Sequence, residues 1–117
     1  YKATFYLTPV TGKHHMVNVR VQGGIRSYAV GLYPNGKVVL LKNDNGYEVL
    51  ASKDFAWSAN TEYKIEVTVK DNILKATIND DITLEYADQD RPYLYGSIGV
   101  SVLQGSHCKY RKIEVSY

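Results

Sequence analysis

Alternation of apolar and polar residues runs through most of the chain and predicts β-strands. In residues 17–22, three valines alternate with Asn18, Arg20 and Gln22. A period of two is typical of a strand with one buried face. The glycines at 23–24 fit a two-residue hairpin turn, because such turns need positive φ and glycine adopts it at little cost.

This turn determines which residues of the hairpin lie opposite each other. Asn18 is expected opposite Ala29 and Arg20 opposite Ser27, and opposed residues share a face. The other face is apolar and is predicted to lie in the core: Val17, Val19, Val21, Tyr28, Val30 and Leu32. Side chains as small as Ala29 and Ser27 cannot cover Asn18, Arg20 and Gln22. We therefore predict that this face is an open polar floor and that the Arg20 side chain points outward from it.

Turn residues divide the rest of the chain into further short segments, and none has a helical period. With the hairpin strands at 17–22 and 25–32, the predicted strands are 3–8, 37–42, 47–51, 63–69, 74–78, 82–86, 95–103 and 109–115. About ten short strands separated by turns predict an all-β, antiparallel two-sheet sandwich of the jelly-roll type. Residues 1–117 are enough for one domain. The chain enters a strand soon after Tyr1, which favours a domain cut from a longer protein.

A second strand repeats the small-residue pattern. Ser97, Gly99 and Ser101 alternate with Ile98 and Val100. Glycine weakens a strand and often marks a place where something approaches the backbone closely. A ligand is one explanation for the small residues, and close packing by a second layer or a crossing loop is the other.

Charge and composition narrow the choice of partner. The net charge is +2, and the 14 basic residues are scattered along the chain. This pattern indicates no nucleic-acid partner and no membrane partner. The single Cys108 cannot form an intrachain disulfide. The compartment stays open, with an extracellular or periplasmic location favoured.

The second half of the chain resembles a known superfamily. The segments that carry the resemblance are Phe55-Ala-Trp57, residues 62–70 and 71–79, Tyr86-Ala-Asp88, Gly96-Ser-Ile-Gly-Val100 and Lys112-Ile-Glu-Val115. In this order they resemble the concanavalin A-like lectin/glucanase superfamily. Residues 17–50 further resemble β-sandwich domains found beside bacterial ADP-ribosylglycohydrolase-like and glycoside hydrolase modules. The resemblance implies a concanavalin A-like jelly roll that recognises glycans.

The candidate ligand contacts follow from sugar chemistry. Sugar hydroxyls suit planar polar side chains, and sugar C–H faces pack on aromatic rings. The predicted carbohydrate-binding residues are Asn18, Arg20, Gln22, Ser27, Arg26, Trp57, Tyr93 and Tyr95. Arg26 falls on the apolar face in the assumed register, so it should lie at a rim or the turn should differ. The leading hypothesis is a non-catalytic accessory lectin module that holds a neighbouring hydrolase near a glycan.

Two alternatives remain at this point. Retaining glucanases need two carboxylates about 5 Å apart on one face, and the segment Glu66-x-Thr68-x-Lys70 offers only one. A glycan or disaccharide hydrolase would therefore need carboxylates from different strands. The other alternative is a structural spacer that packs against its parent enzyme.

The predicted cofactor is none, with calcium as the open alternative. Four carboxylates lie close together in the sequence at Asp80, Asp81, Asp88 and Asp90. Oxygen ligands of this kind suit Ca²⁺. Asp is also an ordinary turn residue that can bond to its own backbone.

Overall fold

The computed structural model describes residues 1–23, 26–102 and 106–117, and they form strands connected by turns. The strands are β1 (Lys2–Thr11), β2 (His15–Val21), β3 (Arg26–Tyr33), β4 (Lys37–Asp44), β5 (Tyr47–Asp54), β6 (Tyr63–Lys70), β7 (Ile73–Ile78), β8 (Ile82–Ala87), β9 (Ser97–Val102) and β10 (His107–Ser116). None of the described residues forms a helix, so none of them provides one long and apolar enough to cross a membrane.

The strands make two antiparallel five-stranded sheets. One sheet has the order β10-β1-β6-β7-β8, and the other has the order β5-β4-β3-β2-β9. They pack face to face because every central strand has an apolar side, and the core between them is continuous from Phe5 through Tyr28 and Ile65 to Leu84. The predicted two-sheet β-sandwich is confirmed.

Much of the predicted pairing is also confirmed. Val17 lies opposite Val30, Asn18 opposite Ala29 and Val19 opposite Tyr28. The hairpin of β6 and β7 pairs as the Asp71-Asn72 turn predicts, with Val69 opposite Leu74 and Ile65 opposite Ile78. The apolar side of each hairpin faces the core because burial of those side chains is the main favourable term in folding.

The first strand is longer than predicted. The predicted strand 3–8 stops before Pro9, which cannot donate to a strand ladder, but β1 continues to Thr11. Beyond Leu7, β1 pairs with β10 and no longer with β6. A proline is tolerated where a strand has only one neighbour, since the missing N–H then leaves no ladder bond unmade on the open side.

The open-floor prediction holds only in part. Asn18 and Ser27 lie on the outer face but are only 6% and 4% exposed. Val21, predicted in the core, lines that face, whereas Gln22 lines a different depression and Arg20 is buried. The pairing of β2 with β9 shifts register between Asn18 and Val21, and Arg20 has a left-handed backbone with φ of 48°. A one-residue shift moves every following side chain to the opposite face. Arg20 therefore turns inward and is 6% exposed. The Gly23-Gly24 turn itself includes Gly24 and Ile25, which lie outside the described residues.

Candidate functional site

The two ends of the sandwich differ in chemistry, and each contains some of the predicted site residues. We call the end that contains Arg20, Lys42 and Asp88 the charged end. The opposite end, with His15, Tyr33 and Trp57, is the aromatic end. His15 and Arg20 lie near opposite ends of β2, about 17 Å apart at the rise of an extended strand. The predicted combination of Asn18, Arg20 and Trp57 is therefore not one contact surface.

At the charged end, Arg20 binds backbone carbonyls. Its Nη1 donates to the carbonyl of Asp71 and, at 2.8 Å, to that of Tyr93. Its own N–H donates to the Tyr1 hydroxyl at 2.7 Å. Gly96 has φ of 138° and lies so close that a Cβ there would be 2.4 Å from the carbonyl carbon of Arg20. Arg20 thus fastens the segment after β8 to the sheet, and its predicted outward role is wrong.

A buried ion pair lies beside Arg20. Lys42 Nζ is 2.7 Å from Asp88 Oδ2, and the Tyr28 hydroxyl donates to the same oxygen at 2.6 Å. Burial alone would raise the pKa of Asp88, but the hydrogen bonds from Lys42, Tyr28 and the Asp90 amide outweigh it and hold that pKa below its ordinary value. Burial, and then the Asp88 carboxylate, raise the pKa of Tyr28. Asp88 is therefore an ionised partner of a lysine.

The four predicted calcium ligands do not come together. Asp88 holds Lys42, and Asp80 contacts Lys64 at 3.3 Å in the turn between β7 and β8. Within 1–23, 26–102 and 106–117, no three acidic, histidine or cysteine side chains are grouped so that they could hold a metal ion.

The predicted aromatic contacts are divided among three environments. The ring of Tyr93 is buried against that of Tyr28, with centroids 5.1 Å apart, and its hydroxyl donates to the carbonyl of Asn43. Tyr95 is 73% exposed. Trp57 lies at the aromatic end, where Nε1 donates to the Tyr33 carbonyl at 2.8 Å and the ring packs edge-on against His15. Tyr95 presents a largely free ring, and Trp57 lines a depression of about 260 Å³ together with Tyr33. The Tyr47 ring lies beside the predicted polar floor.

That floor is a shallow groove on the outer face of the second sheet. The depression has a volume of about 210 Å³ and is lined by Asn18, Val21, Gly23, Ser27, Asn43, Tyr47, Gly99, Val100 and Ser101. We call it the polar groove. The register of the strands brings its lining residues together. Ser27 lies opposite Asn43 and Asn43 opposite Tyr47, while Asn18 lies opposite Gly99.

The groove floor is ordered by its own hydrogen bonds. Ser101 Oγ donates to Asn18 Oδ1 at 2.8 Å, and Asn18 Nδ2 donates to Ser27 Oγ at 3.4 Å. Asn43 Oδ1 accepts from the Gly46 amide at 3.0 Å. Among the described side chains, the only buried nitrogen or oxygen without a partner is His15 Nδ1. The groove's polar atoms are thus either bonded within the protein or reachable from solvent.

Two glycines on the outer face of this sheet, Gly31 and Gly99, differ in whether packing by the protein explains them. A Cβ on Gly31 would lie 2.8 Å from the Tyr33 ring, so packing by the protein explains that glycine. A Cβ on Gly99 would meet only Val21 Cγ2, at 3.9 Å. Packing therefore does not require glycine at position 99, and its missing side chain leaves the groove open.

Sequence reasoning missed Asn43 and Tyr47 as site residues. The predicted strands 37–42 and 47–51 leave Asn43 in the turn between them and place Tyr47 only at the start of a strand. The signal that could have found them is the register of β3, β4 and β5, which aligns both residues with Ser27. The remaining candidates, Gln22 and Arg26, lie beside the groove at the charged end, and Arg26 is exposed at the rim.

The outer face of the other sheet has a different character. A depression of about 320 Å³ there includes Glu66 and Glu114, which flank Thr4 on neighbouring strands. Each contacts a lysine at 2.8 Å, Lys64 and Lys112 respectively. Lys112 lowers the pKa of Glu114, which is opposite to the shift that a general acid needs.

Known structures share this architecture. The carbohydrate-binding module CBM66 of Bacillus subtilis superposes with a TM-score of 0.85 and 14% identity, covering 96% of this chain and 71% of that one. A reconstructed ancestral congerin gives 0.74 and 11%, covering 97% and 89%. A galectin of Caenorhabditis elegans gives 0.63 and 14%, covering 97% and 81%. This chain has a concanavalin A-like jelly-roll fold.

The jelly roll is thus confirmed by structure where sequence comparison finds nothing. No protein-family model and no curated protein matches the chain. At such low identities the likeness establishes the fold. A neighbouring hydrolase in the parent protein stays a prediction.

Proposed function

We propose that this jelly roll is a non-catalytic carbohydrate-binding module and that the polar groove is its binding site. The observation that carries the proposal is the open floor at Gly99. That glycine has no packing partner that requires it, and it lies beside the amide of Asn18 and the hydroxyl of Ser101. Small residues there give a sugar ring room to reach recessed hydrogen-bonding groups.

Tyr47 completes the chemistry of the groove. It is 38% exposed at the groove edge, opposite Asn43. A tyrosine ring offers an apolar face together with a polar hydroxyl, so it can pack against the C–H face of a sugar. The known carbohydrate-binding module and galectins with the same fold add support of a general kind.

The test is a glycan array with the purified domain, followed by calorimetry on the best ligand. Tyr47→Ala should raise the Kd about tenfold, equivalent to about 1.4 kcal/mol. Tyr117→Ala removes another exposed tyrosine, one that does not line the groove, and should leave the Kd unchanged. Absence of binding at millimolar sugar, or an unchanged Kd in Tyr47→Ala, would reject the proposal.

We further propose that the module tethers a neighbouring hydrolase to its glycan. The support is the resemblance of residues 17–50 to domains found beside hydrolases. In the full-length parent protein, Tyr47→Ala should then slow hydrolysis of an insoluble glycan and spare that of a small soluble substrate. Equal effects on both substrates would argue against tethering.

A further inference from the structure

A second depression lies at the charged end, near the polar groove. It has a volume of about 210 Å³ and is lined by Gln22, Arg26, Asp44, Arg91 and Tyr93. We call it the end pocket. It lies around the end of the sheet from the groove, because successive strand residues point to opposite faces and the Arg26–Asp44 pair comes directly after the outward-facing Ser27–Asn43 pair. A glycan reaches both depressions only if it curves over the ends of β3 and β4.

The end pocket has more positive than negative charge in its lining. Arg26 and Arg91 contribute two guanidinium groups, and Asp44 contributes one carboxylate. Arg91 Nη2 lies 3.9 Å from Asp44 Oδ2, and Arg91 Nε lies 3.7 Å from Asp90 Oδ1, although Asp90 is not part of the lining. Arg26 makes no ion pair with any residue in the described ranges. One guanidinium is therefore left to pair with a ligand anion.

The backbone that carries Arg91 is held in place by three side-chain donors. Lys42 Nζ donates to the carbonyl of Asp90 and, at 3.4 Å, to that of Arg91. Arg20 donates to the carbonyl of Tyr93, and Gln22 Nε2 donates to that of Tyr95 at 2.8 Å. A segment fixed at four carbonyls loses little further freedom when a ligand binds, which favours affinity.

We propose that the end pocket binds the carboxylate of an acidic sugar, such as a uronic acid, in a glycan that occupies the polar groove and curves over the end of the sheet into the pocket. The planar guanidinium of Arg26 matches a carboxylate in a bidentate pair. Arg91 adds a second positive charge, and Gln22 offers its side-chain oxygen to a sugar hydroxyl. This assignment rests on the proposed function, since the groove must hold the rest of the chain.

The test compares uronate-containing oligosaccharides with their carboxyl-reduced counterparts, which differ only in replacing the carboxylate by a hydroxymethyl group. Calorimetry on the unmodified protein should show at least tenfold tighter binding of the acidic form at low salt. That preference should shrink as ionic strength rises. Arg26→Gln should bind the two forms equally. Arg111→Gln is the matched control, because that guanidinium pairs with Glu62 on the other sheet, and it should keep the preference.

The outcomes separate the two proposals. If the protein binds both forms equally and Tyr47→Ala weakens both, the acidic-sugar assignment is overturned while the polar groove stands. If Arg26→Gln keeps the preference for the acidic form, the assignment to the end pocket is overturned. If a glycan array finds only neutral ligands, the acidic-sugar assignment is again overturned. If no glycan binds, both proposals fall.

Discussion

The two ends of this sandwich keep polar groups out of water in opposite ways. At the charged end, Lys42, Asp88 and Arg20 are all buried, and each has close partners among side chains or carbonyls. At the aromatic end, His15 is fully buried and bonds through Nε2 to the Gly12 carbonyl at 3.0 Å, but its Nδ1 has no partner. The buried charges of one end all have partners, whereas the other end is built from aromatic rings.

The difference bears on which end would hold the proposed ligand. Charges at the charged end hold the segment from 88 to 96, which contributes to the end pocket beside the groove. Rings at the aromatic end pack on each other and on Tyr33, and the one strongly polar atom they leave without a partner is enclosed. We therefore expect variants at the charged end to affect stability and binding together, and those at the aromatic end to affect stability alone.

The largest effect is expected from Asp88→Ala. It leaves Lys42 buried without its partner, and breaking a buried ion pair in this way costs about 3–5 kcal/mol. Urea unfolding should show this loss of stability, and sugar affinity should fall because the 88–96 segment loses its anchor. Asp90→Ala is the control, since that carboxylate is exposed. Equal stability of the two variants would show that the buried network does not hold this end.

Trp57→Ala tests the aromatic end. The ring is partly buried against the core, so its loss should cost about 2–3 kcal/mol, below the cost for a fully buried tryptophan. Sugar affinity of the folded variant should match that of the unmodified protein, contrary to the sequence-based prediction that Trp57 contacts the ligand. Trp57→Phe keeps a ring but loses the bond to the Tyr33 carbonyl, and should cost about 1 kcal/mol. A Trp57→Ala protein that folds normally but no longer binds sugar would restore Trp57 to the site.

Gly99→Leu tests the groove between the two ends. Its Cβ has space in the structure, so the variant should fold normally and fill the groove floor. The Kd for the glycan should rise at least tenfold, about 1.4 kcal/mol. Thr68→Leu places the same side chain at an exposed position on the other sheet and should leave the Kd unchanged. Tight binding by Gly99→Leu would mean that the ligand lies elsewhere.

Alternation predicted the sheets correctly because it reports which face of a strand is buried. The Val17–Val30, Asn18–Ala29 and Val19–Tyr28 pairs follow from it directly. It could not predict Arg20, because the residues around it alternate as they would in a regular strand. The shift there depends on a left-handed Arg20 backbone, a conformation that costs about 1–2 kcal/mol and is compensated by contacts with residues far away in the sequence.

Long-range partners account for the other failures. Lys42 shares a face with Leu40 and so points into the core. Alternation alone would have taken a lysine at this position as a sign that the face is exposed. Its partner Asp88 follows 46 positions later, across the sandwich. The same separation hid the candidate site, because Tyr47 and Gly99 line one groove only when β5 and β9 belong to the same sheet, at its two edges. The local alternation of apolar and polar residues was enough to predict the fold, whereas the candidate site depends on the order of the strands in the sheet.

The smallest effect on stability is expected from protonation of His15. It distinguishes the two ends by their response to pH. Burial lowers the pKa of His15 from its ordinary value of 6.5, with the Gly12 carbonyl opposing this shift and nearby His14 adding to it. The unfolded chain then binds a proton more readily than the folded protein does. Stability should therefore fall as the pH drops below about 6.5, toward the folded-state pKa. The depressed pKa of Asp88 acts only below its ordinary value of 3.8, so the charged end contributes nothing to this change.

The measurement is the urea midpoint between pH 7.5 and 5 for the unmodified protein, His15→Gln and His14→Gln. Glutamine at position 15 can still donate to the Gly12 carbonyl but does not titrate, so His15→Gln should lose part of the pH dependence. His14→Gln should keep most of it, because that variant leaves the buried His15 ring in place. If the three curves run parallel, the free Nδ1 of His15 accommodates a proton without cost, and the aromatic end tolerates charge as the charged end does.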